Sequence, residues 1–272
     1  MCGFLPTKAA VHVYINYMRA SISTSLIIPA LTLAIVVVLA GDSATQSRDQ
    51  LMLQQQQQQR QIYLPQTEPE PPREPSKLKV ARLHYGGGGD WYWGNSAVPN
   101  FLEFVRDNTV FPVDTIEKTV SITDPDLFRY PFLFATGHGT ISFSPEERER
   151  LRRYLAGGGF LFVNDSYGME QSFLSELSEL FPEREVVQLP FDHPLYHSFY
   201  DFPNGPPKIH EHDKEAPRGY AVILNGRVVL YFLVESDIGD GWEDEQVHND
   251  PPEKRQAAFR MGVNILAYAL LH

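Results

Sequence analysis

Thiol chemistry is nearly absent from this sequence. Its one cysteine, Cys2, stands at the extreme N-terminus. The rest of the chain therefore has no intramolecular disulfide, no Cys-based zinc site and no thiol nucleophile. Many extracytoplasmic domains lack disulfides, so this absence leaves the compartment open. Basic residues are also in the minority, with 23 Lys and Arg against 34 Asp and Glu, for a net charge of −11 at pH 7. That balance lacks the basic footprint a phosphate backbone needs, so no nucleic acid is expected as partner. Familiar site motifs are missing too. The stretch Asp237-Ile238-Gly239-Asp240-Gly241 departs from EF-hand spacing, Ser166 is not in a G-x-S-x-G elbow, and the histidines lack H-E-x-x-H spacing.

Hydrophobic residues make up 43% of the 272 residues, enough for one good-sized core plus extra segments. Residues 25–40, SLIIPALTLAIVVVLA, are apolar and uncharged, with Lys8 and Arg19 before them and Asp42 after. This is the order of an export signal, and Val38 and Ala40 suit positions −3 and −1 of a cleavage site before Gly41. Met18 is an alternative start that shortens the n-region to ordinary length. The competing reading is an uncleaved anchor over residues 22–40, at the short end of the roughly 20 apolar residues a span needs. The flanking charges then put the domain outside the membrane. Residues 1–40 are thus expected to be a signal peptide or a membrane anchor. The protein is expected to be extracytoplasmic: periplasmic, secreted or anchored in the inner membrane. VLAG resembles the start of a lipoprotein box, but Asp42 stands where the lipidated cysteine belongs.

Residues 41–76 read as a disordered linker. The run Gln54–Gln59 and the segment TEPEPPREP (67–75) cannot bury a core. The proline part is expected to be extended and fairly stiff, a spacer holding the domain off the membrane.

The folded domain is expected over 77–272. KVARLHY (79–85) reads as a strand broken by GGGGD, and a helix follows over about 98–106. A short strand is expected near 118–122 and a buried one over PFLFATG (131–137). Ser144-Pro145-Glu146-Glu147 is a helix start, with serine as N-cap, proline at N1 and Glu147 closing a capping box. FLFVN (160–164) is another apolar strand, followed by a helix from about Met169 to Leu180. Asn225-Gly226 between apolar runs signals a hairpin. The C-terminal segment reads as an amphipathic helix with Phe259, Val263, Leu266 and Leu270 on its apolar side. Apolar strands alternating with helices predict an α/β fold with a mainly parallel sheet covered on both faces.

Sites in such sheets gather at the carboxyl ends of strands. That rule selects GGGGDWYW (86–93), Gly137-His138-Gly139, Asp165-Ser166-Tyr167-Gly168 and the acidic stretch SDIGDGWED (236–244).

Together, GGGGDWYW, PFLFATGHGTISFSPEERERLRRYLAGGGFLFVNDSYG, DHPLYHSFYDFP, SDIGDGWED and FRMGVNILAYAL resemble the DUF4159 family of bacterial proteins. The resemblance covers about 77–272. It implies a fold similar to class I glutamine amidotransferases and ThuA-like proteins, a flavodoxin-like three-layer sandwich with a sharp turn after a central strand. Asp165 and Ser166 fit that turn. The turn of the amidotransferases carries a cysteine, so the sequence departs there and glutaminase chemistry is not expected. Asp192-His193-Pro194 looks like a motif of the ThuA-like relatives. The resemblance carries over no established activity.

The candidate catalytic residues are His138, Asp165, Ser166 and His193. Ser166 as nucleophile needs His138 or His193 as base; alternatively Asp165 and Ser166 cap the following helix. The candidate ligand-binding residues are Asp90, Trp91, His138, Asp237, Asp240, Trp242 and Glu243. Trp242 is read either as a platform for a sugar or amine or as a lid packed on the core. Weaker metal candidates are Asp192, His193, His197, His210, His212 and Asp213. His210 and His212 alternate, which puts both on one face if the segment is extended. The cofactor stays open. The functional expectation is a ligand-binding or interaction module at the cell envelope, with envelope proteins or a small molecule as partner. The rival is an enzyme acting on a carbohydrate or related small molecule.

Overall fold

The computed structural model describes residues 76–272. The apolar segment read as a signal or anchor, and nearly all of the Gln/Pro-rich linker, lie outside the described residues. Among the described residues no helix is long and apolar enough to cross a membrane.

Seven strands form one sheet. They are β1 (Val80–His84), β2 (Lys118–Ser121), β3 (Phe132–His138), β4 (Phe160–Tyr167), β5 (Val187–Gln188), β6 (Arg218–Leu224) and β7 (Arg227–Val234). Their order is β2-β1-β3-β4-β7-β6-β5. The pairs from β2 through β7 are parallel, while β6 and β5 add an antiparallel edge. The helices are α1 (Ala97–Asn108), α2 (Pro145–Ala156), α3 (Glu170–Leu180), α4 (Ile238–Gly241), α5 (Glu245–His248) and α6 (Pro252–Leu271).

Alternation along the buried strands feeds two cores. Phe132, Phe134, Phe160, Phe162 and Tyr231 pack with Phe101 and Leu102 of α1 and with Val263 and Leu266 of α6. Their neighbours Leu133, Ala135, Leu161, Val163 and Leu230 pack on the opposite face with Leu151 of α2 and Phe173 of α3. The result is a three-layer sandwich. Its strand order β2-β1-β3-β4, continued by β7, follows the flavodoxin-like pattern.

Local signals explain several boundaries. Ser144 Oγ accepts from the Glu147 N–H at 3.2 Å, and Glu147 Oε2 accepts from the Ser144 N–H at 2.8 Å, so both halves of the capping box at α2 are made. Asn225 and Gly226 adopt φ of 52° and 80°, the left-handed pair that a tight hairpin between β6 and β7 requires.

Two elements differ from expectation. Strand β4 does not stop at Asn164 but runs through Asp165 and Ser166 to Tyr167, so the turn comes at Gly168 rather than at Asp165-Ser166. Polar residues are tolerated there because Asn164 and Ser166 are hydrogen-bonded inside the sheet. Helix α6 is buried nearly all round rather than on one stripe, from Ala258 to Tyr268. The reason is that the chain from Leu195 to Tyr200 crosses its outer side. Buried Asn264 fastens that crossing: its Oδ1 accepts from the N–H groups of Phe199 (3.1 Å) and Tyr200 (2.7 Å), and its Nδ2 donates to the carbonyls of Tyr196 and Tyr200 at 2.8 Å each. The acidic stretch after β7 is buried despite its charge. It winds into α4, and Asp237, Asp240 and Glu243 are only 0%, 6% and 6% exposed.

Candidate functional site

The sheet places the carboxyl ends of β1, β3, β4 and β7 along one edge. The strand order reverses between β1 and β3, the position where open α/β sheets leave a crevice. Around it the loop after β1, the tip of β3 and the turn into α4 come together.

The loop after β1 is anchored from below. Buried Arg82 donates through Nη2 to the Gly94 carbonyl at 2.8 Å and through Nη1 to the Trp93 carbonyl at 2.5 Å, while its Nε pairs with Glu117. This loop carries Asp90, whose carboxylate faces His138 twice. Oδ1 accepts the His138 backbone N–H, and Oδ2 lies 3.1 Å from Nδ1 of the ring. Gly137 permits the approach: it has φ +147°, and a Cβ there would lie 2.4 Å from the Tyr85 hydroxyl and 2.8 Å from Asp90 Oδ1. The ring of Trp93 meets His138 edge-on at 4.8 Å, and its Nε1 donates to Asp240 Oδ1 at 3.1 Å.

On the other side of Trp93 lies a cluster of imidazoles and carboxylates. Asp237, in a left-handed conformation with φ 61°, is fully buried. Its Oδ1 accepts from Asn164 Nδ2 at 3.2 Å, and its Oδ2 faces His210 Nδ1 at 3.1 Å and His212 Nε2 at 3.2 Å. Asp240 Oδ2 lies 3.4 Å from His248 Nε2 and 3.7 Å from His210 Nδ1. His248 Nε2 is also 2.8 Å from Glu243 Oε2, and His210 Nε2 is 3.1 Å from Asp250 Oδ2. Asn164 accepts the Gly239 N–H through its Oδ1, which ties α4 to the end of β4.

Electrostatics follow from this crowding. Burial pushes the Asp237 carboxyl up, but the imidazoles of His210 and His212 outweigh it and hold the group below the usual carboxylate range. Burial and the adjacent Asp237 charge push Asp240 up to about 8. The hydrogen bond to Asp237 raises His210 to about 9 against the opposing effect of burial, and the same partner raises His212. Two groups of three residues present convergent donor atoms suited to a cation: His210, His212 and Asp237, and His210, Asp240 and His248.

The remaining sequence candidates fall elsewhere. Asp165 caps α3, accepting from the N–H groups of Met169 (2.9 Å) and Glu170 (3.0 Å), and burial raises its carboxyl to about 6. Ser166 is fully buried, with its hydroxyl 3.0 Å from Thr136 Oγ1 and within reach of Asn164. Neither His138 nor His193 is among its partners, so the geometry does not assemble a serine nucleophile with a base. His193 starts a 3-10 turn and packs on Tyr268, and Asp192 stays with it on that side. His197 pairs with Asp201, outside the cluster. Asp213 accepts from the Tyr167 hydroxyl. Trp242 is not a platform. It is 1% exposed, stacks on Phe101 at 4.3 Å and donates to the Ala258 carbonyl. Trp91 lies against His84 instead of the cluster.

The sequence reading missed Trp93, Asn164, His248 and Asp250. A histidine and an aspartate in VHNDPP, just before a proline-started helix, were the available signal for the last two. Beside His212 a cleft of about 200 Å³ opens, lined by Asp165, Tyr167, Gly168, Glu170, Asp213 and Glu235 among others.

The profile of the family described as "Domain of unknown function (DUF4159)" matches residues 79–270. The chain belongs to this family. No curated protein matches it. The DUF4159 match spans every strand and all but the last residue of the C-terminal helix, so the cluster and the His138–Asp90 pair are both features of the DUF4159 domain of this chain.

Proposed function

We propose that the DUF4159 domain is the ligand-binding module of an exported protein, which residues 22–40 hold at the cell envelope as an anchor or release as a cleaved signal. One observation carries the binding reading: three imidazoles and four carboxylates converge, largely buried, at the carboxyl edge of the sheet. Stability alone does not favour such a cluster, because buried ionic groups are often matched or bettered by apolar residues of the same volume. Glu235 and Asp237, both at positive φ, add backbone strain at the same place. The adjacent cleft gives a small molecule room to sit.

A thermal-shift panel of sugars, amides and amines on the full chain tests this reading. A ligand at 100 times its Kd stabilises by about 2.7 kcal/mol, a rise of about 5–11 °C in Tm for a protein of this size. The rise should disappear in His138→Ala or His212→Ala. A flat panel, or a rise that both variants retain, rejects the site. The envelope location is tested separately by fractionating cells that express the full chain; recovery in the cytoplasmic fraction rejects it.

The His138–Asp90 pair supports a second reading, an enzyme acting on a carbohydrate or related small molecule. Asp90 Oδ2 accepts from Nδ1 of His138, which leaves Nε2 as a base, the arrangement of an orienting acid and a general base. Turnover that His138→Ala abolishes with the fold intact supports it. Turnover unchanged in His138→Ala removes the pair from the chemistry.

A further inference from the structure

The geometry points to a divalent transition-metal centre at the cluster, held by Nδ1 of His210, Nε2 of His212 and Oδ2 of Asp237, with Nε2 of His248 and Oδ2 of Asp240 drawn in to complete the shell. This inference rests on the ligand-binding reading and names one component of what is bound.

The spacing comes first. Metal bonds of about 2.0–2.2 Å to imidazole and carboxylate set neighbouring donors about 3.0–3.4 Å apart in tetrahedral or octahedral geometry. The observed separations are 3.1 Å for His210–Asp237, 3.2 Å for His212–Asp237, 3.4 Å for His248–Asp240 and 3.7 Å for His210–Asp240. His210 Nδ1 is common to both sets of three, so an ion held there with His212 and Asp237 has Asp240 and His248 beside its shell.

The outer partners are the second observation. Each carboxylate turns one oxygen to the centre and gives the other to a fixed donor. Asp237 Oδ1 is held by Asn164, and Asp240 Oδ1 by the Trp93 indole. His210 turns Nδ1 inward while Nε2 bonds to the Asp250 carboxylate. A carboxylate on the outer nitrogen of an imidazole fixes its tautomer and orientation, the usual support of a metal-bound histidine. A plain ion-pair network has no need of such one-sided presentation at three residues.

The chemistry selects the ion. Three imidazoles with two carboxylates suit a first-row ion such as Zn²⁺, whereas Ca²⁺ and Mg²⁺ prefer oxygen-only shells. Among the described residues no lysine or arginine pairs with the carboxylates of Asp237, Asp240, Glu243 or Asp250. Lys208 pairs with Glu235, Lys254 donates to the Ile209 carbonyl and Arg255 to the Glu243 carbonyl. Glu243, now on His248, stands as a further carboxylate at the rim.

The test is a Zn²⁺ titration of the full chain after treatment with chelator, followed by calorimetry and by metal analysis after gel filtration. One equivalent per chain is expected. His212→Ala and His248→Ala, both at half-buried positions, should each weaken binding at least 100-fold while circular dichroism stays native. Asp250→Asn, a positioning change, should weaken it about 10- to 100-fold, as loss of an outer partner does. His197→Ala, on a surface histidine outside the cluster, should change nothing. Absence of stoichiometric Zn²⁺, or binding that the two histidine variants retain, shows an ion-pair network only and overturns the inference. If the metal fails while sugars or amides still raise Tm in a His138-dependent way, the metal centre falls and the ligand-binding reading stands.

Discussion

Trp93 Nε1 donates to Asp240 Oδ1 over 3.1 Å and so joins the loop after β1 to the short helix after β7. The same indole meets the His138 ring edge-on at 4.8 Å. Both halves of the candidate site therefore lean on one side chain. Trp93→Phe keeps an aromatic ring and removes the donor. Leaving buried Asp240 without that partner should lower stability by about 1–2 kcal/mol, read as a shift of the urea midpoint. Zn²⁺ affinity should fall about 10-fold in the same variant, since Oδ1 of Asp240 loses its fixed partner. Unchanged affinity removes Trp93 from the support of the cluster.

Asn264 governs a different region. Replacing it by leucine, of similar size, leaves the Phe199 and Tyr200 N–H groups and the Tyr200 carbonyl without this partner, while the Tyr196 carbonyl keeps the Phe202 N–H. Each unsatisfied buried group costs about 1–3 kcal/mol, so a loss of at least about 3 kcal/mol is expected. Hydrogen exchange should rise first around residues 196–200. A variant as stable as the parent contradicts this assignment of the crossing segment.

Asp165 gives a pH dependence whose sign is fixed. Its carboxyl is raised to about 6 in the folded protein by burial, against about 3.8 when free. A raised carboxyl means that its contribution to stability is complete below pH 4 and is lost as pH rises through 6. Two pH units correspond to about 3 kcal/mol as an upper bound. Urea unfolding of the parent and of Asp165→Asn, compared at pH 4.5, 5.5, 6.5 and 7.5, should show the parent losing ground to the variant across this window. A constant difference between them refutes the raised carboxyl.

Ser166 is predicted to be structural. Ser166→Ala should lower stability by about 1 kcal/mol through its bond to Thr136 and leave ligand binding and any turnover intact. Loss of turnover with an unchanged melting temperature would restore it as a nucleophile.

How far the sequence carries depends on whether the signal is local. The capping box at Ser144, the Asn225-Gly226 hairpin and the alternating sheet were legible because each is written within a few adjacent residues. Strand β4 ended early in the sequence reading because Asp165 and Ser166 resemble turn residues. Their side chains are satisfied by the cap of α3 and by Thr136, which only the folded neighbours reveal. For Trp242 the sequence left a platform and a core lid both open, and the indole packs on Phe101 and Phe134 as the lid. Helix α6 lost its polar face to a segment about 65 residues away in sequence. The cluster itself was half legible. His210 and His212 alternate toward Asp237 as their spacing suggests, but His248, Asp250, Trp93 and Asn164 come from three other segments, and no local pattern connects them.

The most direct measurement is anomalous X-ray diffraction from crystals of the full chain grown with Zn²⁺. The geometry predicts one dominant peak about 2.0–2.2 Å from Nδ1 of His210, Nε2 of His212 and Oδ2 of Asp237, with His248 and Asp240 drawn in to complete the shell. Ordered His210, His212 and Asp237 with no peak between them, or a peak only at a surface residue such as His197, contradicts the metal centre.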